Sequence, residues 1–355
     1  MNNNYNPNGQ FGGWGQYQYG VYNAPNYDYY NEQYKKQQEK KNDKKILKTM
    51  GNWFGFGIIC FTAFASIVAV IIGLLSTVFS KLDLLYYDDN ISMAYQIIAS
   101  ILFILVPFVI AYGVLKKKKI AGILPMGTTY NRKAAVGLTM LCVPLMIFST
   151  LAINFISTII QEMLGITFTT GVEDPKIMGA EGIFIAVLSI AVLPAILEEV
   201  VVRGIIMQPL RRFGDKFAIV ASALIFGIMH GNMVQIPYTI VAGLFMGYLA
   251  IATGSLWPSI ILHFINNFYS VAVVVAYDNA GDTAGMLISV LFIALFVLSG
   301  FLGGLLYVPM NYKVPLKKGV DTLKIGEKFS TLFLNVPMII AIVFLLFQTI
   351  GTIEF

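Results

Sequence analysis

The sequence predicts an all-helical, polytopic membrane protein of about nine spans. Three observations carry this. First, 57% of the 355 residues are apolar and only 12% are charged, about half the roughly 25% of an ordinary soluble domain. Second, apolar stretches of about 18 to 25 residues recur from Trp53 onward, each long enough to cross a hydrocarbon core of roughly 30 Å at about 1.5 Å per residue. Third, the basic residues collect in alternate loops between those stretches. The runs are continuous, without the ten-residue alternation of a barrel, and lipid leaves helices as the remaining way to satisfy the backbone.

Residues 1 to about 34 are rich in Asn, Tyr, Gln and Gly and nearly free of aliphatic side chains. Such a segment cannot bury a core and is expected to be disordered. It has no apolar stretch of a secretory signal. Between Lys35 and Lys48 stand seven lysines against Glu39 and Asp43, which equals the whole net charge of +5. Beside an apolar run this tract suits anionic lipid head groups, and nucleic acid is excluded as the partner. The expected organisation is therefore a cytoplasmic tail over 1–50, amino-terminal spans over 51–180, a core over 181–276 and further spans over 277–355.

The nine spans fall at about 53–80, 93–115, 133–160, 182–210, 217–233, 237–253, 257–276, 286–308 and 330–352. With the amino terminus in the cytoplasm, 21 of the 24 basic residues lie on that side. The opposite loops carry Asp83, Asp88, Asp89, Glu173, Asp174, Asp278 and Asp282, with Lys81 and Lys176. This is the positive-inside pattern, and it puts the carboxyl terminus on the other side. Gly243 and Gly247 suit close helix packing, and Trp257 with Pro258 reads as an interfacial anchor at a helix start. Cys60 and Cys142, in separate apolar runs, read as buried small hydrophobes, neither a disulfide framework nor a metal site.

The remaining basic residue, Arg203, lies inside the fourth span beside Glu198 and Glu199. Three ionisable groups at mid-helix cost about 8 to 10 kcal/mol unless compensated. Glu199 and Arg203 are four apart with Glu first, the favourable order for an ion pair, so Glu198 is the carboxylate left free. Pro194 is expected to kink this helix beside the carboxylates. Both histidines of the chain, His230 and His263, fall in spans, and Asn267 is one turn from His263, with Asn266 near it. All of these groups can reach a common depth, and such a constellation is too costly for packing alone.

The runs EEVVVR (198–203), FGIMH (226–230) and HFINN (263–267) fit EExxxR, FxxxH and HxxxN in that order. Together they resemble the CAAX-protease and bacteriocin-processing family of intramembrane endopeptidases, which includes prenyl-protein peptidases of the Ras-converting type. The resemblance covers about residues 180–275. It implies an active site of Glu198, Glu199, Arg203, His230, His263 and Asn267, and a peptide or protein substrate at the membrane, including a lipidated one. Phe226 reads as packing.

No GxSxG motif is present and neither cysteine lies near these motifs, so a covalent route has little support. Two arrangements remain. In one, Glu198 activates a water with help from His230, while His263 and Asn267 stabilise the oxyanion. In the other, Glu198, His230 and His263 bind zinc, with one position left for water. Two other classes stay open: a non-catalytic scaffold or bacteriocin-immunity protein on the same fold, and an ion-coupled transporter. No internal repeat favours the transporter.

Overall fold

The computed structural model of the chain describes residues 27–78, 89–170, 176–314 and 316–354. Almost all of them are helical. In chain order the helices are α1 (Tyr27–Val78), α2 (Asp89–Ala99), α3 (Val106–Lys117), α4 (Arg132–Leu164), α5 (Gly179–Ala186), α6 (Leu193–Glu199), α7 (Met207–Leu210), α8 (Asp215–Ile228), α9 (Ile236–Thr253), α10 (Trp257–Tyr307), α11 (Ile325–Phe333) and α12 (Val336–Ile350). Two short strands, β1 (Thr167–Phe168) and β2 (Ile353–Glu354), pair antiparallel with Thr167 opposite Glu354.

The apolar runs lie on helices, but the spans are not nine uniform crossings. By length and apolarity, five helices among the described residues qualify, at 93–117, 132–164, 179–213, 236–253 and 257–310. A sixth arises if α11 and α12, bent by 74°, form one broken span. The fifth expected run falls on α8, whose 14 residues extend about 21 Å, short of a full crossing. The seventh and eighth runs share α10, which is 51 residues long and interrupted at Gly281, where φ is 80° and ψ is −178°. A straight helix of that length would extend about 77 Å, more than twice the hydrocarbon thickness, and the break at Gly281 divides it into two arms of span length. The first run lies on α1, with 79–80 outside the described residues.

The expected disordered tail needs correction where it is described. Residues 1–26 lie outside the described residues, but 27–50 belong to α1. Glu32 pairs with Lys36 one turn on, at 2.7 Å. Lys40 and Lys44 both reach Glu327 of α11, at 2.8 and 3.1 Å. Leu47, Met50 and Phe54 are fully buried in the same core as Leu332. A lysine-rich tract thus becomes helix because a distant amphipathic partner covers one face of it.

Prolines shape the spans through π-helical turns, which widen the helix where a proline removes an N–H donor. Such turns occupy Ser100–Leu105, Val187–Val192 and Val200–Ile206, and Pro107, Pro194 and Pro209 follow within three residues of each. The irregularity expected at Pro194 therefore takes the form of a widened turn immediately before it. Glu198 and Glu199 end α6, framed by two of these turns.

The loops sort into two sets. In one, Arg212 reaches Asp43 at 3.4 Å, the Lys317 N–H donates to Asp215 at 2.9 Å, Lys328 donates to the Phe213 carbonyl at 2.6 Å, and the Tyr130 N–H donates to Thr253 at 2.9 Å. In the other, β1 meets β2, the Ile177 N–H donates to Asp278 at 2.8 Å, and Asn279 donates to the Ile177 carbonyl at 2.7 Å. Each contact joins loops that the expected alternation puts on one side. The lysine-rich and arginine-rich loops belong to the first set.

The core centres on α6 to α9, where Val201, Ile206, Ala218, Ile225 and Leu249 are fully buried. Gly243 lies against Ala223 and Gly247 near Ile219, so the GxxxG stripe of α9 seats it on α8. Trp257 is half-exposed, with its indole N–H donating to the Met126 carbonyl at 3.2 Å. Gly227 permits a close approach, since a methyl there would overlap Ile240 Cγ1 and crowd the Ile236 carbonyl at 3.2 Å. Alanine would gain about 1 kcal/mol of helix propensity but lose about 1–3 kcal/mol to overpacking. Gly227→Ala should therefore lower thermal stability in detergent; an unchanged or raised Tm would show that Ile240 yields at no cost.

Candidate active site

The three motifs reach the site from three directions. Glu198 and Glu199 come from the end of α6, Arg203 from the following π turn, His230 from just beyond α8, and His263 and Asn267 from the first arm of α10. Glu199 and Arg203, four apart, form an ion pair with Glu199 Oε1 at 2.6 Å from Arg203 Nη1 and both side chains fully buried. Arg203 Nη2 also donates to the Gly243 carbonyl of α9 at 3.1 Å, and its guanidinium lies 4.6 Å from the centre of the Phe226 ring. The charge is thus held by one carboxylate, one backbone dipole and one aromatic face.

The same Glu199 Oε1 accepts a hydrogen bond from His263 Nδ1 at 3.1 Å. That bond makes Nδ1 the protonated nitrogen and turns Nε2 toward Glu198, whose Oε2 is 3.8 Å away. Glu198 itself makes no ion pair with Arg203; its side chain is 21% exposed, against 0% for Glu199. The two adjacent carboxylates thus have different environments, one sealed as a counter-ion and one facing open space.

That space is a cavity of about 610 Å³, on whose wall lie Glu198, His230, His263, Asn266 and Asn267. A smaller cavity of about 80 Å³ shares Glu198 and His230 and is otherwise apolar, with Phe61, Val201, Val202 and Met229 among its walls. His230 Nδ1 donates to the Phe226 carbonyl one turn back, at 2.8 Å, which leaves Nε2 as an acceptor. Asn267 donates one amide N–H to the Ile190 carbonyl at 3.1 Å and accepts from Asn266 at 3.1 Å, so its second N–H is left over.

Of the six residues singled out in the sequence, Glu198, His230, His263 and Asn267 border one cavity, and Glu199 and Arg203 lie behind it, tied to it through the hydrogen bond between Glu199 and His263. Three participants had no such signal. The Gly243 carbonyl is a backbone acceptor, which no side-chain motif reveals. Tyr238 and Gln235 of the α9 region also line the cavity, as ordinary polar residues at a helix start. Phe226, read as packing, touches Arg203 and both histidines; its spacing of four from His230 was the available clue.

The zinc arrangement of Glu198, His230 and His263 gains no support from the geometry. Among the described residues, no three His, Cys, Asp or Glu side chains converge closely enough to hold a metal ion.

A family model described as Type II CAAX prenyl endopeptidase Rce1-like matches residues 180–269. The match covers about a quarter of the chain and contains all six site residues. It shows, over that stretch, the resemblance read from the three motifs, and it supports a CAAX-type intramembrane protease acting on peptide or protein at the membrane. Neither a curated protein nor a solved structure matches the chain.

Proposed function

We propose that this chain is an intramembrane endopeptidase in which Glu198 is the general base for the attacking water. One observation carries the reading: of two adjacent carboxylates, Glu199 is fully buried and consumed by Arg203 and His263, while Glu198 faces the shared cavity with no lysine or arginine at ion-pair distance among the described residues and with His263 Nε2 at 3.8 Å. A carboxylate in that setting accepts a proton without first breaking an ion pair.

Glu198 takes one proton from a water as its oxygen adds to the scissile carbonyl. His230 Nε2 accepts the water's second hydrogen bond and so fixes its direction. The free N–H of Asn267 donates to the oxyanion, and the His263 ring, held through Nδ1 by Glu199, closes the site beside Glu198. Glu198 then delivers its proton to the leaving amine as the C–N bond breaks, which restores the carboxylate.

Substrates are membrane-associated peptides or proteins, lipidated carboxyl-terminal tails among them. The basic loop set is assigned to the cytoplasm, with the amino terminus there and the carboxyl terminus opposite, and the lysine tract of α1 lies against anionic lipid.

The test is turnover by the purified full chain, reconstituted in vesicles, on a fluorogenic peptide library with and without a chelator. Turnover that persists in chelator supports the metal-free route. Loss of turnover on chelation, restored by added zinc, overturns it; no turnover on any peptide counts against the endopeptidase itself.

A further inference from the structure

Phe226 joins the three parts of the site. Its ring is buried, 3% exposed, on the last full turn of α8. The centre of the ring lies 4.9 Å from the His230 ring at an interplanar angle of 87°, and 5.9 Å from the His263 ring at 78°. Both are edge-to-face arrangements, which depend on the aromatic quadrupole and not on volume alone. The Arg203 guanidinium lies 4.6 Å from the same centre. Arg203 Nε has no hydrogen-bond partner among the described residues, so the aromatic face supplies the attraction that a third acceptor would otherwise give. The Phe226 carbonyl, finally, is the acceptor that fixes Nδ1 of His230.

A residue used merely to fill space would need none of this geometry, and leucine or methionine would serve as well. We infer that Phe226 is a positioning residue: its ring fixes the guanidinium and both imidazoles together, so that each histidine keeps its proton on Nδ1 and turns Nε2 toward Glu198 and the cavity. The inference takes the site from the hydrolytic reading above, but its test needs no turnover.

The chain contains two histidines, and both belong to this cluster. Ring ¹⁵N spectra of the histidine-labelled full chain in detergent micelles therefore report on this site and no other. The wild type is expected to show two rings, each in a single state with Nδ1 protonated and Nε2 bare. Phe226→Leu and Phe226→Met remove the ring at similar volume and should give mixed tautomers at both histidines, while Phe226→Tyr retains the single state. Thermal unfolding of each variant separates this from loss of fold. An aliphatic variant that folds and keeps both wild-type ring states overturns the inference. So does a folded tyrosine variant with mixed tautomers, and so does unfolding of both aliphatic variants, which would make Phe226 a folding residue. A wild type that shows these spectra and hydrolyses nothing would count against the endopeptidase reading alone.

Discussion

Glu198→Gln is expected to abolish hydrolysis while leaving the fold and Tm unchanged. The amide is isosteric, and the carboxylate it replaces has no ion pair with Arg203 to lose. What disappears is proton acceptance, a contribution of about 10²- to 10⁴-fold, so kcat/KM should fall by at least about 100-fold on any peptide the wild type cleaves. The same substitution discriminates between classes. A scaffold or immunity protein built on this architecture would keep its phenotype, and a transporter would show altered ion-coupled uptake. Retention of more than about a tenth of wild-type turnover would remove Glu198 from the role of base, because a general base cannot be dispensed with so cheaply.

Arg203→Met should produce the largest loss of stability of any single change at the site. It leaves Glu199, which is 0% exposed, as a buried carboxylate held by the His263 hydrogen bond at 3.1 Å and without its counter-ion. Breaking a buried ion pair from one side costs about 3–5 kcal/mol, because an uncompensated charge remains, whereas replacing both partners with apolar residues is often close to neutral. The double variant Glu199→Leu with Arg203→Met should therefore recover most of the lost stability in detergent denaturation. It should not recover activity, since His263 Nδ1 has then lost its acceptor and the ring is no longer fixed against Glu198. A double variant as unstable as Arg203→Met would show that packing of the guanidinium, not its charge, is what the site requires. A double variant with restored turnover would show that Glu199 does not orient His263.

The site residues were legible because lipid makes them conspicuous. Two histidines in 355 residues, both inside apolar runs, and an EExxxR in a span admit few explanations other than convergence. The spacing of Glu199 and Arg203 fixed their pairing and left Glu198 over, since one helical turn separates the first two. Other features depend on partners far away in the chain. The segment 27–50 looks like a solvated tail until Glu327, almost 290 residues later, meets Lys40 and Lys44 and α11 covers Leu47 and Met50. Likewise α8 is shorter than its apolar run, because the chain turns at Gly231, where φ is 63°, and Asn232 donates to the His230 carbonyl. Hydropathy marks neither. The π turns before Pro107, Pro194 and Pro209 are hinted at by the prolines, but whether a helix kinks or widens there is decided by its neighbours.

The stretch from Arg211 to Phe329 is laced together outside the apolar layer. Asp215 is fastened to Arg211 and to the Lys317 backbone, and Lys328 bridges the Phe213 carbonyl and Asp321. The quarter of the chain that holds the candidate site is accordingly no detachable cassette: its hairpin between α7 and α8 is knotted to a segment that begins 50 residues after Asn267, the last residue of that site. Inheritance of the motifs without that later segment would hand down the reactive groups and lose the clasp that keeps them abreast.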